Sequence, residues 1–271
     1  MSKALITQSY LTDIANSIRT KLGVQTTYTP SQMSNAIDSI PSASAVEAEF
    51  IKMIERTPNT NITVPNGVTK IGRSAFSSYS DLVSVSIPNS VTTIGDYAFF
   101  SCLNLETINL PDGLKSIGYQ AFLNSNKLSL TSLPNSITTI GYQAFACSGI
   151  KLTSLPSNLS SMGNSAFNSC TKLAITSLPT GIRNIGDYVF EGCAITSINI
   201  HSNISSISSG AFSRCGKLTT VTFEGTPTSI ANNVFSSCTN LTTINVPWSE
   251  GAVANAPWGA TNATIVYNYG L

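Results

Sequence analysis

Leu105-Glu106-Thr107-Ile108-Asn109-Leu110-Pro111 opens a frame that closes eleven residues after its proline, at Ala121-Phe122. Ile117-Gly118 stands five and four residues ahead of that phenylalanine. The frame recurs along the chain. Phenylalanine falls at Phe76, Phe99, Phe122, Phe145, Phe167, Phe190, Phe212 and Phe235, at intervals of 22 or 23 residues, each time after Ala or Val. The Ile-Gly pair recurs at Ile71-Gly72, Ile94-Gly95, Ile140-Gly141 and Ile185-Gly186, with Met162-Gly163 in its place once, and drifts to Ile207-Ser208 and Ile230-Ala231. Proline stands eleven residues before Phe at Pro65, Pro88, Pro111, Pro134, Pro156 and Pro179. His201 and Glu224 replace it twice. Pro247 restores it, and eleven residues on lies Trp258, a ninth, degenerate copy. Self-similarity at such a period is the signature of a solenoid, in which each unit buries its apolar side against its neighbours.

The run before each proline reads as a short strand. In Leu105–Leu110 the alternation puts Ile108 and Leu110 inward and Thr107 and Asn109 outward. Stacked copies make these strands parallel. At about 4.8 Å per coil, nine coils extend on the order of 40 Å. Proline ends each strand, where a missing N–H costs least. The glycine after Ile is expected to permit a backbone turn that a side chain obstructs. Three copies break the rhythm: Leu130-Thr131-Ser132-Leu133, Leu152-Thr153-Ser154-Leu155 and Ile175-Thr176-Ser177-Leu178. Their apolar residues are three apart, which predicts a bulge or bend.

The ends differ from the middle. Leu11, Ile14, Ala15, Ile18 and Leu22 fall at helical spacing before Gly23. Thr29-Pro30-Ser31-Gln32 reads as a cap, with Met33, Ala36, Ile37 and Ile40 on one face and Pro41 as the stop. Residues 1–41 are therefore expected to form a helical hairpin for attachment or oligomerisation. Residues 42–271 are expected to form the solenoid. Ser44-x-x-Glu47 opens a cap helix over about residues 44–56, and residues of about 247–271 close the other end.

The repeats resemble the BspA-like leucine-rich repeat family. Its coil looks like Leu-x-x-Ile-x-Leu-Pro, then Val-x-x-Ile-Gly-x-x-Ala-Phe-x-x-Cys, and the likeness covers roughly residues 60–247. The resemblance implies a leucine-rich-repeat-like solenoid of parallel strands and short turns, preceded here by the hairpin. It also implies a binding role, since the family includes surface adhesins and bacterial and phage-encoded proteins. Leu11-Thr12-Asp13-Ile14-Ala15-Asn16-Ser17-Ile18-Arg19 and Tyr28-Thr29-Pro30-Ser31-Gln32-Met33 resemble the N-terminal helical segment of phage and prophage tail-associated proteins. Ala256-Pro257-Trp258-Gly259-Ala260-Thr261-Asn262-Ala263-Thr264-Ile265 resembles endings found in such proteins.

Composition narrows the function. Only 10% of the 271 residues are charged, and the net charge is +1 with no run of Lys or Arg. That gives no concentrated positive field of the kind nucleic acid requires. No stretch reaches the 18 apolar residues of a membrane helix, and the N-terminus shows no secretory signal pattern. All six cysteines follow the repeat Phe: Cys102, Cys170, Cys193, Cys215 and Cys238 by three residues, Cys147 by two. Ligands one coil apart do not make the paired spacing of zinc sites, so the cysteines read as small buried hydrophobes with free thiols. His201 is the only histidine and reads as structural. Asp96 and Asp187 share a repeat position four coils apart, roughly 19 Å, too far to act together on a glycosidic bond.

These features point to a non-enzymatic recognition or adhesion protein without catalytic residues, metal or cofactor. The outward strand residues Ser84, Ser86, Thr107, Asn109, Ser197, Asn199, Thr220, Thr222, Thr243 and Asn245 form its candidate binding face. The leading expectation is a phage or prophage tail component. Residues 1–41 then dock on a tail or other virion protein, and the solenoid meets a host surface protein or glycan. Its location is the virion, or the host cytoplasm during assembly. Nucleic acid and membrane insertion are not expected, and the hairpin's apolar stripe allows a homo-oligomer. A secreted, extracellular surface adhesin is the alternative, and a glycan-cleaving tail-spike-like enzyme the third reading.

Overall fold

In a computed structural model of the protein, residues 61–64 and 66–270 are described. The expected hairpin of residues 1–41 and the cap helix near 44–56 lie outside them. Two columns of short parallel strands run along the described chain. One holds the expected strands: β1 (Asn61–Thr63), β3 (Ser84–Ser86), β5 (Thr107–Asn109), β10 (Ser197–Ile200), β12 (Thr220–Phe223), β14 (Thr243–Asn245) and β15 (Thr264–Val266). The other holds β2 (Lys70–Ile71), β4 (Thr93–Ile94), β6 (Ser116–Ile117), β7 (Thr139–Ile140), β8 (Ser161–Met162), β9 (Asn184–Ile185), β11 (Ser206–Ile207) and β13 (Ser229–Ile230). Register follows the repeat, with Ile108 beside Val85 and Ile117 beside Ile94.

The second column replaces the turn expected at Ile-Gly. Its Ile residues are the inward members of two-residue strands, too short to show alternation in the sequence. The glycine after them serves close approach rather than a special φ. A Cβ on Gly141 would lie 2.7 Å from the Gly118 carbonyl carbon and 2.8 Å from its oxygen. The left-handed backbone falls two residues after the glycine position instead, at Ser74, Tyr97, Gln120, Gln143, Ser165, Tyr188 and Gly210.

The first column is interrupted where the rhythm breaks. It forms one sheet of β1-β3-β5 and another of β10-β12-β14-β15. The three copies between them form no strand in this column, and an isolated bridge, Ser177 to Asn199, marks their edge. Leu133, Leu155 and Leu178 are buried, while Thr131-Ser132, Thr153-Ser154 and Thr176-Ser177 are exposed. Two consecutive outward residues cannot belong to a regular pleat, so the expected bend takes the form of a broken ladder.

The core is built around the phenylalanine column. Phe76, Phe99, Phe122 and Phe145 stack at 5.0–5.1 Å between ring centroids. The later steps, to Phe167, Phe190, Phe212 and Phe235, are 5.6, 5.7, 5.4 and 5.9 Å. Trp258 continues the series fully buried, and its carbonyl accepts the Phe235 N–H at 2.9 Å.

Candidate functional site

The ten outward strand residues fall into two groups separated by the three unpaired coils. Ser84, Ser86, Thr107 and Asn109 lie on the first sheet, and Ser197, Asn199, Thr220, Thr222, Thr243 and Asn245 on the second. Ser86, Thr107, Asn109 and Asn199 are exposed; Ser84, Ser197, Thr220, Thr222 and Thr243 are half-buried. Asn245 is buried and donates to Thr222 Oγ1 at 3.2 Å, so it belongs to the ladder more than to the surface. Asn109 is also engaged: it accepts the Ile87 N–H at 2.6 Å and donates to the Ile87 carbonyl at 2.7 Å. That side chain satisfies the backbone of the preceding coil where the first sheet ends.

A second surface lies on the turn side. Tyr97 and Tyr119 are 5.1 Å apart, and Tyr119 and Tyr142 stack at 5.1 Å. The Arg73 guanidinium lies 5.2 Å from the Tyr97 ring centroid. Tyr119 and Tyr142 are exposed. Desolvation, then the hydrogen bond and charge of Tyr97 and the charge of Tyr142, hold the Tyr119 phenol above its ordinary value. Rings stacked on each other turn edges and hydroxyls outward, a surface suited to hydrogen bonding more than to stacking.

Cys147 departs from the expected burial and is exposed. It stands two residues after Phe145, on an outer turn position where Ser78, Ser101 and Asn124 share its positive φ. Its neighbour Ser148 takes the buried position and lies 3.6 Å from Cys170 Sγ. The buried thiols are also more than small hydrophobes, because they donate. Cys102, Cys170, Cys193, Cys215 and Cys238 each bond the carbonyl of the preceding coil's Phe, at 3.0–3.2 Å. Ser125 does the same to Phe99 at 2.9 Å. The cysteines alone do not reveal this column, because serine fills it in two coils. Burial pushes the thiols of Cys170 and Cys215 up to about 12 and that of Cys238 to about 11, which leaves them neutral and unreactive.

The carboxylates at the shared position bind backbone. Asp96 Oδ1 accepts the Tyr119 N–H at 2.9 Å, and Asp187 Oδ1 accepts the Ser209 N–H at 3.1 Å. His201 bonds the Pro179 carbonyl at 3.0 Å and the Asn203 N–H at 3.3 Å, tying its turn to the preceding coil. Among the described residues no three metal-ligating side chains cluster, and no helix is long and apolar enough to cross a membrane.

The model of the BspA type leucine rich repeat region matches six copies, over residues 53–174 and 147–255. The chain belongs to this family. Among solved structures, a leucine rich repeat protein of T. pallidum is 31% identical, with 68% of this chain and 79% of that one covered at a TM-score of 0.51. A leucine-rich repeat protein from Bacteroides ovatus is 19% identical, with 76% and 69% covered at a TM-score of 0.45. No curated protein sequence matches the chain.

Proposed function

We propose that this BspA-type chain is a non-enzymatic recognition module of a bacterial surface adhesin. The observation that supports it is the outward polar edge of the first strand column. Ser86, Thr107 and Asn199 are exposed on strands whose backbone is held by parallel ladders. Side chains on a rigid backbone lose little freedom on binding, which favours recognition of a protein or glycan surface. Family membership supports the same reading. The tail-component reading rests on residues 1–41, which lie outside the described residues, on the N-terminal pattern and on a short resemblance in the ending from Ala256 to Ile265. Family membership favours the adhesin, which takes its place as the leading reading. Two measurements separate them. Protease shaving of intact source cells should release peptides of this chain, and the purified chain should bind host cells saturably. Recovery of the chain in purified phage particles, with none released by shaving, would return the tail reading.

A further inference from the structure

The span from residue 113 to residue 186 contains none of the thirteen Asp and Glu and five of the fourteen Lys and Arg. It therefore carries +5, and the remainder, with nine cations against thirteen anions, carries −4. Three of these cations, Lys127, Lys151 and Lys172, precede the hydroxyl pairs of the three coils whose strand ladder is broken. All three are exposed. Burial alternates from them into the hydroxyl pairs. Lys127, Ser129 and Thr131 are exposed around buried Leu128, and Lys151 and Thr153 around buried Leu152. Lys172 and Thr176 are exposed outside buried Leu173 and Ile175. Each lysine thus stands exposed two to four residues before the exposed hydroxyl pair of its own coil. The sole ion pair among the described residues is Arg214 with Glu191, so none of the three lysines is neutralised by a carboxylate there.

We propose that this middle segment binds an anionic polysaccharide. Lys127, Lys151 and Lys172 pair with its acidic groups, and Thr131, Ser132, Thr153, Ser154, Thr176 and Ser177 hydrogen-bond its hydroxyls. Charge complementarity selects an anion, and the six exposed hydroxyls select a hydroxyl-rich one. A single coil rise of about 4.8 Å is close to the length of one sugar ring, so successive coils meet successive units. Duplex DNA, which needs a denser positive field, is the weaker fit. The proposal rests on the recognition reading and places a ligand site on the coils between its two groups of outward strand residues.

The test is binding of polygalacturonate to the full chain, with neutral dextran and duplex DNA as comparisons. Polygalacturonate should bind, and its affinity should fall with salt. The triple variant Lys127→Gln, Lys151→Gln, Lys172→Gln should lose tenfold or more, with an unchanged circular dichroism melt. Lys115→Gln with Arg183→Gln, which removes charge beside the other strand column, should change binding less than twofold. Thr153→Ala with Ser154→Ala should weaken it severalfold. Absent polygalacturonate binding, equal loss per charge in both sets of variants, or tighter binding to DNA overturns the proposal. Host-cell binding that survives the triple variant overturns this site while leaving the adhesin reading standing.

Discussion

The coils from Ile71 to Met162 and those from Ile185 to Trp258 share one repeat but stack differently. In the first group the glycines after Ile press on backbone: a Cβ on Gly118 would lie 2.7 Å from the Asp96 nitrogen, and one on Gly163 would meet the Tyr142 backbone. Rings from Phe76 to Phe145 are 5.0–5.1 Å apart, and the step to Phe167, at the boundary, has widened to 5.6 Å. At Gly186 an added Cβ meets the Asn164 side chain, and Ser208 and Ala231 then carry a Cβ at that position. The rings there stand 5.4–5.9 Å apart. The second column breaks at the same place, between β8 and β9. Ladder bonds keep their length, 2.8 Å for Gly118 N to Ile94 O and 2.9 Å for Ala231 N to Ile207 O. The 5.0–5.1 Å steps thus occur only in coils that keep the glycine. Gly163 and Gly186 also accompany wider steps, so the fold accepts the wider ring spacing with the glycine or without it.

The largest expected effect is with pH, and it falls mainly on the second group. Cys170, Cys193, Cys215 and Cys238 are held above the ordinary thiol value of 9.0 by burial. Above that value the unfolded thiols lose protons that the folded ones keep. Stability is therefore full below pH 9 and falls as pH rises toward about 11 to 12. Each thiol contributes about 1.4 kcal/mol per pH unit in that window. Thermal melts between pH 8 and pH 11 measure it. A melting temperature flat across that range would mean the thiols are not shielded.

Next in size is truncation of the ring column. Phe122→Ala and Phe212→Ala should each cost about 3–5 kcal/mol. The first should cost more, because neighbours locked backbone to backbone collapse less into the cavity. Urea midpoints decide it; a larger loss at Phe212 would show that ring spacing does not measure how far a coil can relax. Gly141→Ala should cost about 1–3 kcal/mol through overpacking. Gly186→Ala should cost less, since an amide side chain can swing aside. Equal midpoints for the two would remove the distinction between the groups.

Much of the fold was legible in the sequence, for a physical reason. A buried aromatic column and strand-ending prolines recur at fixed intervals, so Phe122 and Pro111 announce the coil. The three runs ending in Thr-Ser-Leu announced the broken ladder through their spacing. What stayed hidden depends on neighbours one coil away. The two-residue strands of the second column are too short to alternate. The thiol-to-carbonyl bonds join residues 25 or 26 apart, and Ser125 disguises the column. The candidate binding face was legible as a row of polar residues, but not that Asn109 and Asn245 are engaged in holding the ladder.

The smallest expected effect comes from the reverse of the Gly141 variant. Ala231→Gly restores the family's glycine in a coil that stacks openly. Nothing there needs the extra room, because Ala231 already donates to Ile207 O at 2.9 Å with its Cβ in place. Glycine instead widens the unfolded ensemble, so the variant should lose roughly 0.4–1 kcal/mol. Ser208→Gly should behave alike. Chemical denaturation against the wild-type chain measures both. A gain in stability from either variant would mean that the open coils are strained by their Cβ atoms, and that tight stacking is the preferred state of the whole solenoid.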